Sequence, residues 1–211
     1  MKTRIVLIVF FIGLYYEMFS QEEWYWQNPL PQGNHIRKII SLDENNIVAG
    51  GLKGFFLKSS DAGISWDISY LSQNFSGSEL KYFSSDNILF AFVGDLVVGG
   101  TILYKSTDRG TSWDSLYYFD NWGMADMDKN SDNVFFAVGG TGKIYKSTSY
   151  GYDWDTIPSV TNKYLSEIIF FDNQNGCIVG DDGIILRTSD NGNTWTIIQS
   201  VTTEWLYALD F

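Results

Sequence analysis

Apolar and polar positions along this chain fall into short runs that alternate or stay apolar. After residue 20 none of them follows the 3.6-residue period of an amphipathic helix. The stretch from Ser166 to Ser200 is the clearest. "SEIIFFD" predicts a short, buried innermost strand, and "GCIVG" a second strand ending at glycine. "DDG" predicts a tight hairpin turn in which positive φ is needed, "IILRTS" a third strand, and "WTIIQS" an outer fourth. Earlier stretches follow the same series as "IRKIISL", "NIVAGG", "GFFLKS" and "SWDISY". The longer "ILFAFVGDLVVGGTILYKS" predicts an extended hairpin around Gly94 to Gly100.

Between the third and fourth strands one phrase recurs. It reads "KSSDAGISW" (Lys58 to Trp66), "KSTDRGTSW" (Lys105 to Trp113), "KSTSYGYDW" (Lys146 to Trp154) and "RTSDNGNTW" (Arg187 to Trp195). Its glycines, Gly63, Gly110, Gly151 and Gly192, are 47, 41 and 41 residues apart. That period and that strand content predict an all-β fold, a β-propeller of four-stranded antiparallel blades. The blades are expected at about 36–70, 80–118, 123–157 and 165–199.

The phrase fits Ser/Thr-x-Asp-x-Gly-x-x-Trp, the Asp-box pattern. Its hydroxyl and carboxylate accept backbone N–H groups inside the turn, glycine supplies a conformation a β-carbon opposes, and tryptophan folds over the turn. The expected structural residues are Ser59, Asp61, Gly63 and Trp66; Ser106, Asp108, Gly110 and Trp113; Ser147, Gly151 and Trp154; and Thr188, Asp190, Gly192 and Trp195. The third copy has Ser149 where aspartate is expected, which predicts a weaker turn. The fourth has Thr188 for serine, which keeps the hydroxyl.

Trp26 precedes Ile36 by the same ten residues that separate Trp195 from Trp205. Residues 23–28 therefore read as an outer strand and 205–211 as an innermost strand, both of an incomplete blade. Four units and a half close poorly, so a truncated propeller is expected, with a small closed ring as the alternative.

Residues 1–20 are of another kind. Lys2 and Arg4 precede the apolar run Ile5 to Tyr16, the order of a secretory signal cut near Ser20/Gln21, which predicts a secreted or surface protein with no integral membrane segment after cleavage. A retained anchor is the alternative. Losing Lys2, Arg4 and Glu17 takes the formal charge of −11 one unit further negative, which excludes nucleic acid as a partner on electrostatic grounds. Cys177, the single cysteine, reads as a small buried strand residue with no disulfide partner.

These phrases, with "WYWQNPLPQGN" and "VGDDGIILRTSDNGNTW", resemble the Asp-box (BNR, sialidase-like) β-propellers over residues 22–211. They are most similar to repeats like those of the photosystem II stability and assembly factor in secreted proteins of Bacteroidetes type. The resemblance implies a C-terminal sorting domain in the parent protein, and none is visible here. The assembly factor's arginine-rich partner patch has no counterpart, since only Arg37, Arg109 and Arg187 follow the signal.

Sialidases share the Asp-box, and the resemblance would require three convergent arginines and a tyrosine–glutamate pair. Arg109 lies inside a turn, and none of Glu22, Glu23, Glu44, Glu79, Glu167 and Glu204 is an evident partner for such a tyrosine. His35 is the only histidine, so neither a His-based triad nor a zinc site can be built within the chain. Asp181 and Asp182 read as a turn rather than a calcium site. No metal, cofactor or catalytic residue is expected. The predicted function is a non-catalytic secreted or cell-surface module binding an unknown protein or glycan. The alternative is a sialidase-like glycoside hydrolase whose catalytic residues lie in a missing C-terminal part. Tyr70, Tyr117, Tyr118, Trp122 and Tyr164, in the inter-blade loops, are the candidate ligand rim; packing between blades is the competing role for each.

Overall fold

The computed structural model describes residues 35–71, 75–97 and 99–210. The expected signal and the expected strand at 23–28 lie outside them. Sixteen strands form four separate four-stranded antiparallel sheets, each a simple meander running from an inner to an outer strand. Blade 1 holds β1 (Ile36–Ser41), β2 (Ile47–Gly51), β3 (Phe55–Ser59) and β4 (Asp67–Tyr70). Blade 2 holds β5 (Phe75–Phe83), β6 (Ile88–Asp95), β7 (Gly100–Ser106) and β8 (Asp114–Phe119). Blade 3 holds β9 (Met124–Lys129), β10 (Phe135–Gly139), β11 (Ile144–Ser147) and β12 (Asp155–Ile157). Blade 4 holds β13 (Leu165–Phe170), β14 (Gly176–Gly180), β15 (Ile185–Thr188) and β16 (Thr196–Ile198). Among the described residues no helix is long and apolar enough to cross a membrane.

In blades 2 and 3 the middle strands are apolar on both faces because each of these blades is packed on both sides. β10 sends Phe135 and Ala137 into a core shared with Phe83, Phe90 and Phe119 of blade 2. Its alternate residues Phe136 and Val138 enter a second core with Leu165, Ile168 and Ile178 of blade 4. A third core joins Val48 and Phe56 to Leu80, Leu89 and Val93 between blades 1 and 2. Three of the four apolar clusters among the described residues thus lie between blades, and the fourth, Ala49, Phe55 and Leu57 with Trp66 and Ile68, lies within blade 1.

The β2–β3 type turns place two successive residues at positive φ, as a type I′ hairpin turn requires: Asp182 at 54° and Gly183 at 69°, and likewise Thr141 with Gly142. In the Asp-box turns Ser59 Oγ donates to Asp61 Oδ1 and receives the Gly63 amide, both at 2.8 Å, and Asp61 Oδ1 receives the Ser65 amide at 2.8 Å. The second copy repeats this with Ser106, Asp108, Gly110 and Ser112, the fourth with Thr188, Asp190, Gly192 and Thr194. In the third, Ser149 Oγ receives the Asp153 amide at 2.8 Å but lies 3.4 Å from Ser147 Oγ, and it has no second oxygen to take a further bond.

The tryptophans reach beyond their own turns. The Trp66 and Trp154 indoles donate to Gly63 O and Gly151 O, as a ring folded over the turn should. Trp113 and Trp195 have no such partner, and the Trp113 ring lies 4.7 Å from that of Phe56 in the preceding blade. Packing between sheets, rather than the turn alone, positions these rings.

Three expectations need correction. The innermost strands are not buried throughout: β13 buries Leu165 and Ile168, while β1 is mostly exposed, because the other side chains face the axis. Residues 205–210 form no hydrogen-bonded strand, although Leu206 N–H donates to Gly180 O at 3.1 Å; a ladder needs a second strand beside it, and no described residue supplies one. Cys177 is half-buried, since among the described residues its face of blade 4 has no neighbouring blade.

Candidate functional site

The inner strands β1, β5, β9 and β13 and residues 205–207 surround an axial cleft of about 550 Å³. No Asp-box residue lines it; all four turns lie elsewhere and use their polar groups on their own backbone. The cleft therefore takes its character from residues that the repeat does not mark.

Charged side chains lace the inner strands together around this cleft. Arg37 Nε on β1 lies 3.3 Å from Glu79 Oε1 on β5, and Lys81 Nζ on β5 lies 3.1 Å from Asp126 Oδ1 on β9. On the β9–β13 side the carboxylates accept backbone amides directly. Ile168 N–H donates to Asp126 Oδ2 at 3.2 Å and Phe170 N–H to Asp128 Oδ2 at 2.7 Å. The Leu209 amide donates to Glu167 Oε2 in the same manner. Neighbouring inner strands thus share no ladder of their own, and acidic side chains satisfy the amides that face across the gap.

Burial raises the Asp126 carboxyl to about 6, against the opposing pull of Lys81 and of the Ile168 amide. Burial likewise raises Glu79, although Arg37 and Lys38 oppose it, and Asp128, although the Phe170 amide opposes it. Tyr164 is raised by burial, with the Glu79 charge adding to the effect.

Of the five expected rim aromatics, Trp122 and Tyr164 line the cleft. Trp205 and Tyr207, which the inter-blade reading missed, line it too, with ring centroids 6.0 Å apart. Tyr117 instead packs in the core between blades 2 and 3, 4.9 Å from Phe119, so for this residue the packing role is the one realised. Tyr118 does not line the cleft and donates its hydroxyl to Gly99 O at 3.1 Å, and Tyr70 is exposed outside the cleft. The three arginines do not converge. Arg37 lines the cleft, Arg109 pairs with Asp43 at 2.9 Å, and Arg187 is exposed on β15. Asp181 lines the cleft, whereas Asp182 pairs with Lys163 at 2.7 Å.

The ionic lacing had a signal in the sequence. β9 reads "MADMDK", two acids at alternate positions of a strand that should be apolar, and β1 and β5 carry "IRK" and "ELK" at comparable places. A second overlooked feature is an Asx turn in the hairpins between first and second strands. Asp43 receives the amides of Asn45 and Asn46, and Asp172 those of Gln174 and Asn175.

A sequence-family model described as photosynthesis system II assembly factor YCF48 matches residues 95–189. No curated protein matches the chain. Among solved structures, an ancestral GH74 enzyme is similar with a TM-score of 0.66 and 16% identity, covering 78% of this chain and 26% of its own. The GH74 enzyme of Niastella koreensis gives 0.56 and 20%, over 80% of this chain and 25% of its own. The GH74 xyloglucanase from Xanthomonas campestris gives 0.54 and 14%, over 73% and 28%. The chain spans about a quarter of the length of these enzymes. At such identities the likeness concerns the fold.

Proposed function

We propose that this chain, which is a BNR-like, Asp-box β-propeller, is a non-catalytic binding module whose axial cleft takes a glycan chain. One observation carries this reading: four aromatic residues, Trp122, Tyr164, Trp205 and Tyr207, converge on one cleft floored by charged side chains. Aromatic faces stack on the C–H faces of sugar rings, and charged groups bond the hydroxyls. Trp122, Trp205 and Tyr207 are 45%, 55% and 68% exposed, so their rings are open to a ligand.

The cleft carboxylates support a non-catalytic role. Glycoside hydrolysis needs two carboxyl groups able to exchange protons with the substrate or a water. Of the four carboxylates that line the cleft, Glu79 is paired with Arg37, Asp126 with Lys81 and the Ile168 amide, and Glu167 with the Leu209 amide. That leaves Asp181 without a second open carboxylate beside it. The charged-then-apolar order of residues 1–20, that of a secretory signal, supports a location outside the cytoplasm.

The test is a glycan array that includes xyloglucan oligosaccharides, run beside chromogenic glycosides. Saturable binding is expected, weakened about tenfold by Trp122→Ala, with no turnover. Turnover abolished by Asp126→Asn would make the protein a hydrolase and overturn the reading.

A further inference from the structure

Lys129 ends β9, and Asn133 follows four residues later in the connection to β10. Asn133 takes a positive φ of 58°, which its short carboxamide side chain tolerates, and its amide donates to Asn130 O at 3.1 Å. This turn carries the side chain back over the strand, where Lys129 Nζ donates to Asn133 Oδ1 at 2.6 Å. The corresponding hairpin of blade 2 makes the same contact with other chemistry. There Tyr82 donates its hydroxyl to Asn87 Oδ1 at 3.1 Å, and Asn87 also has positive φ.

A third group arrives from the neighbouring blade. Asp86, in the β5–β6 turn of blade 2, faces Lys129 across the junction, and its Oδ2 accepts from Nζ. Asn133 Nδ2 donates to the Tyr150 hydroxyl at 3.4 Å, so both ends of the carboxamide are held and its orientation is set. The buried rings of Phe83 and Phe135 stand edge to face, their centroids 5.7 and 5.9 Å from Nζ. The Lys129 side chain is 13% exposed. Other lysines lack one component among the described residues. Lys81 and Lys163 each meet a carboxylate, and Lys146 meets a carboxamide and a carbonyl oxygen.

An amine, a carboxamide carbon and a carboxylate gathered in a largely apolar pocket are the components of an intramolecular amide exchange. We propose that Lys129 and Asn133 form a self-modification site, joined by an isopeptide bond whose formation Asp86 catalyses. The Asp86 carboxylate takes a proton from the Lys129 ammonium, and the freed amine attacks Cγ of Asn133. The carbonyl electrons move onto Oδ1 and return as the Cγ–Nδ2 bond breaks, while the Asp86 carboxyl hands its proton to Nδ2. The second proton that Nζ sheds on becoming an amide passes through Asp86 to the departing ammonia. One Cγ–Nζ bond forms, one Cγ–Nδ2 bond breaks and one ammonium ion leaves, with no oxidant, reductant or further reactant. The product ties the end of β9 to its own turn, and the new amide N–H remains against Asp86 of blade 2. The site lies in the junction of blades 2 and 3 and is independent of the axial cleft.

The test is intact-mass spectrometry of the purified full chain, followed by tandem mass spectrometry of a tryptic digest of the denatured protein. A deficit of about 17 Da is expected, the mass of one ammonia, located in a peptide that spans Lys129 and Asn133 and resists cleavage after Lys129. Lys129→Arg and Asp86→Asn should each show the mass their sequences require, and cooperative melting of both shows that they fold. A natural chain without the deficit overturns the proposal. So does a deficit that persists in Lys129→Arg, whose source would be Asn175–Gly176, Asn191–Gly192 or a terminal glutamine. A deficit undiminished in Asp86→Asn overturns the catalytic assignment.

Discussion

A β-carbon placed on Gly192 would stand 2.3 Å from Cε1 of Phe136, in the neighbouring blade. The glycine of the Asp-box is thus required twice, by its left-handed backbone at φ +66° and by the ring that lies against it. Gly63 has φ +88° but meets nothing nearer than 3.6 Å, since no described blade precedes its own. Gly192→Ala should cost about 2–4 kcal/mol, and Gly63→Ala only about 1 kcal/mol, the conformational part alone. Urea unfolding of the two variants checks this; equal losses would show that backbone strain is the whole effect.

The third Asp-box turn exchanges two residues rather than losing one. Where the other copies have Asp61 with Ser65, Asp108 with Ser112 and Asp190 with Thr194, this copy has Ser149 with Asp153. Ser149→Asp alone sets two carboxylates side by side and should leave stability unchanged or lower. Adding Asp153→Ser restores the bonding of the other turns and should gain about 1 kcal/mol over the natural chain. A double-mutant cycle by thermal melting measures the coupling.

Lys146 and Arg187 occupy equivalent places, one against a neighbouring turn and one against solvent. Lys146→Met should cost about 1 kcal/mol, as its bonds to Asn191 and Asn193 and its position 5.4 Å over the Phe136 ring are lost. Arg187→Met should be neutral within about 0.5 kcal/mol. Equal costs at both sites would contradict the role of Lys146 between blades 3 and 4.

Acid titration should show two opposite trends. Bonds from Ser65 and Ser59 hold Asp61 down at about 2. Burial pushes Asp108 up, but bonds from Ser112 and Ser106 outweigh it and also bring that carboxyl to about 2. Both stabilise the fold above the ordinary 3.8 and cease to as pH falls toward 2. Asp126, raised by burial to about 6, binds its proton more readily folded than unfolded, so its contribution rises as pH falls from 6 toward 4. Melting temperatures of Asp126→Asn should show a smaller rise while keeping the loss at lower pH, since Glu79 and Asp128, also raised by burial, still contribute. A variant whose rise is undiminished would place its origin away from Asp126.

The chain's own residues determined the blade plan. Strand runs, a recurring turn phrase and its glycine spacing are local signals, and local signals survive in one dimension because turns and strands are short. Asp61 with Ser65 and Asp108 with Ser112 act within five residues of each other, so their bonding was legible before any coordinates. What lies between blades was not. Asp126 meets Ile168, Lys146 meets Asn191 and Trp113 meets Phe56 across gaps in sequence of more than forty residues. Nothing in the strand that bears such a residue says which partner will face it. Only packing the sheets side by side made Tyr117 a core residue and Trp122 and Tyr164 cleft residues, and brought Trp205 and Tyr207 to the axis. The physical reason is that the blades bury most of their apolar surface against their neighbours, so burial, and with it the character of the rim side chains, is set by the assembly of sheets.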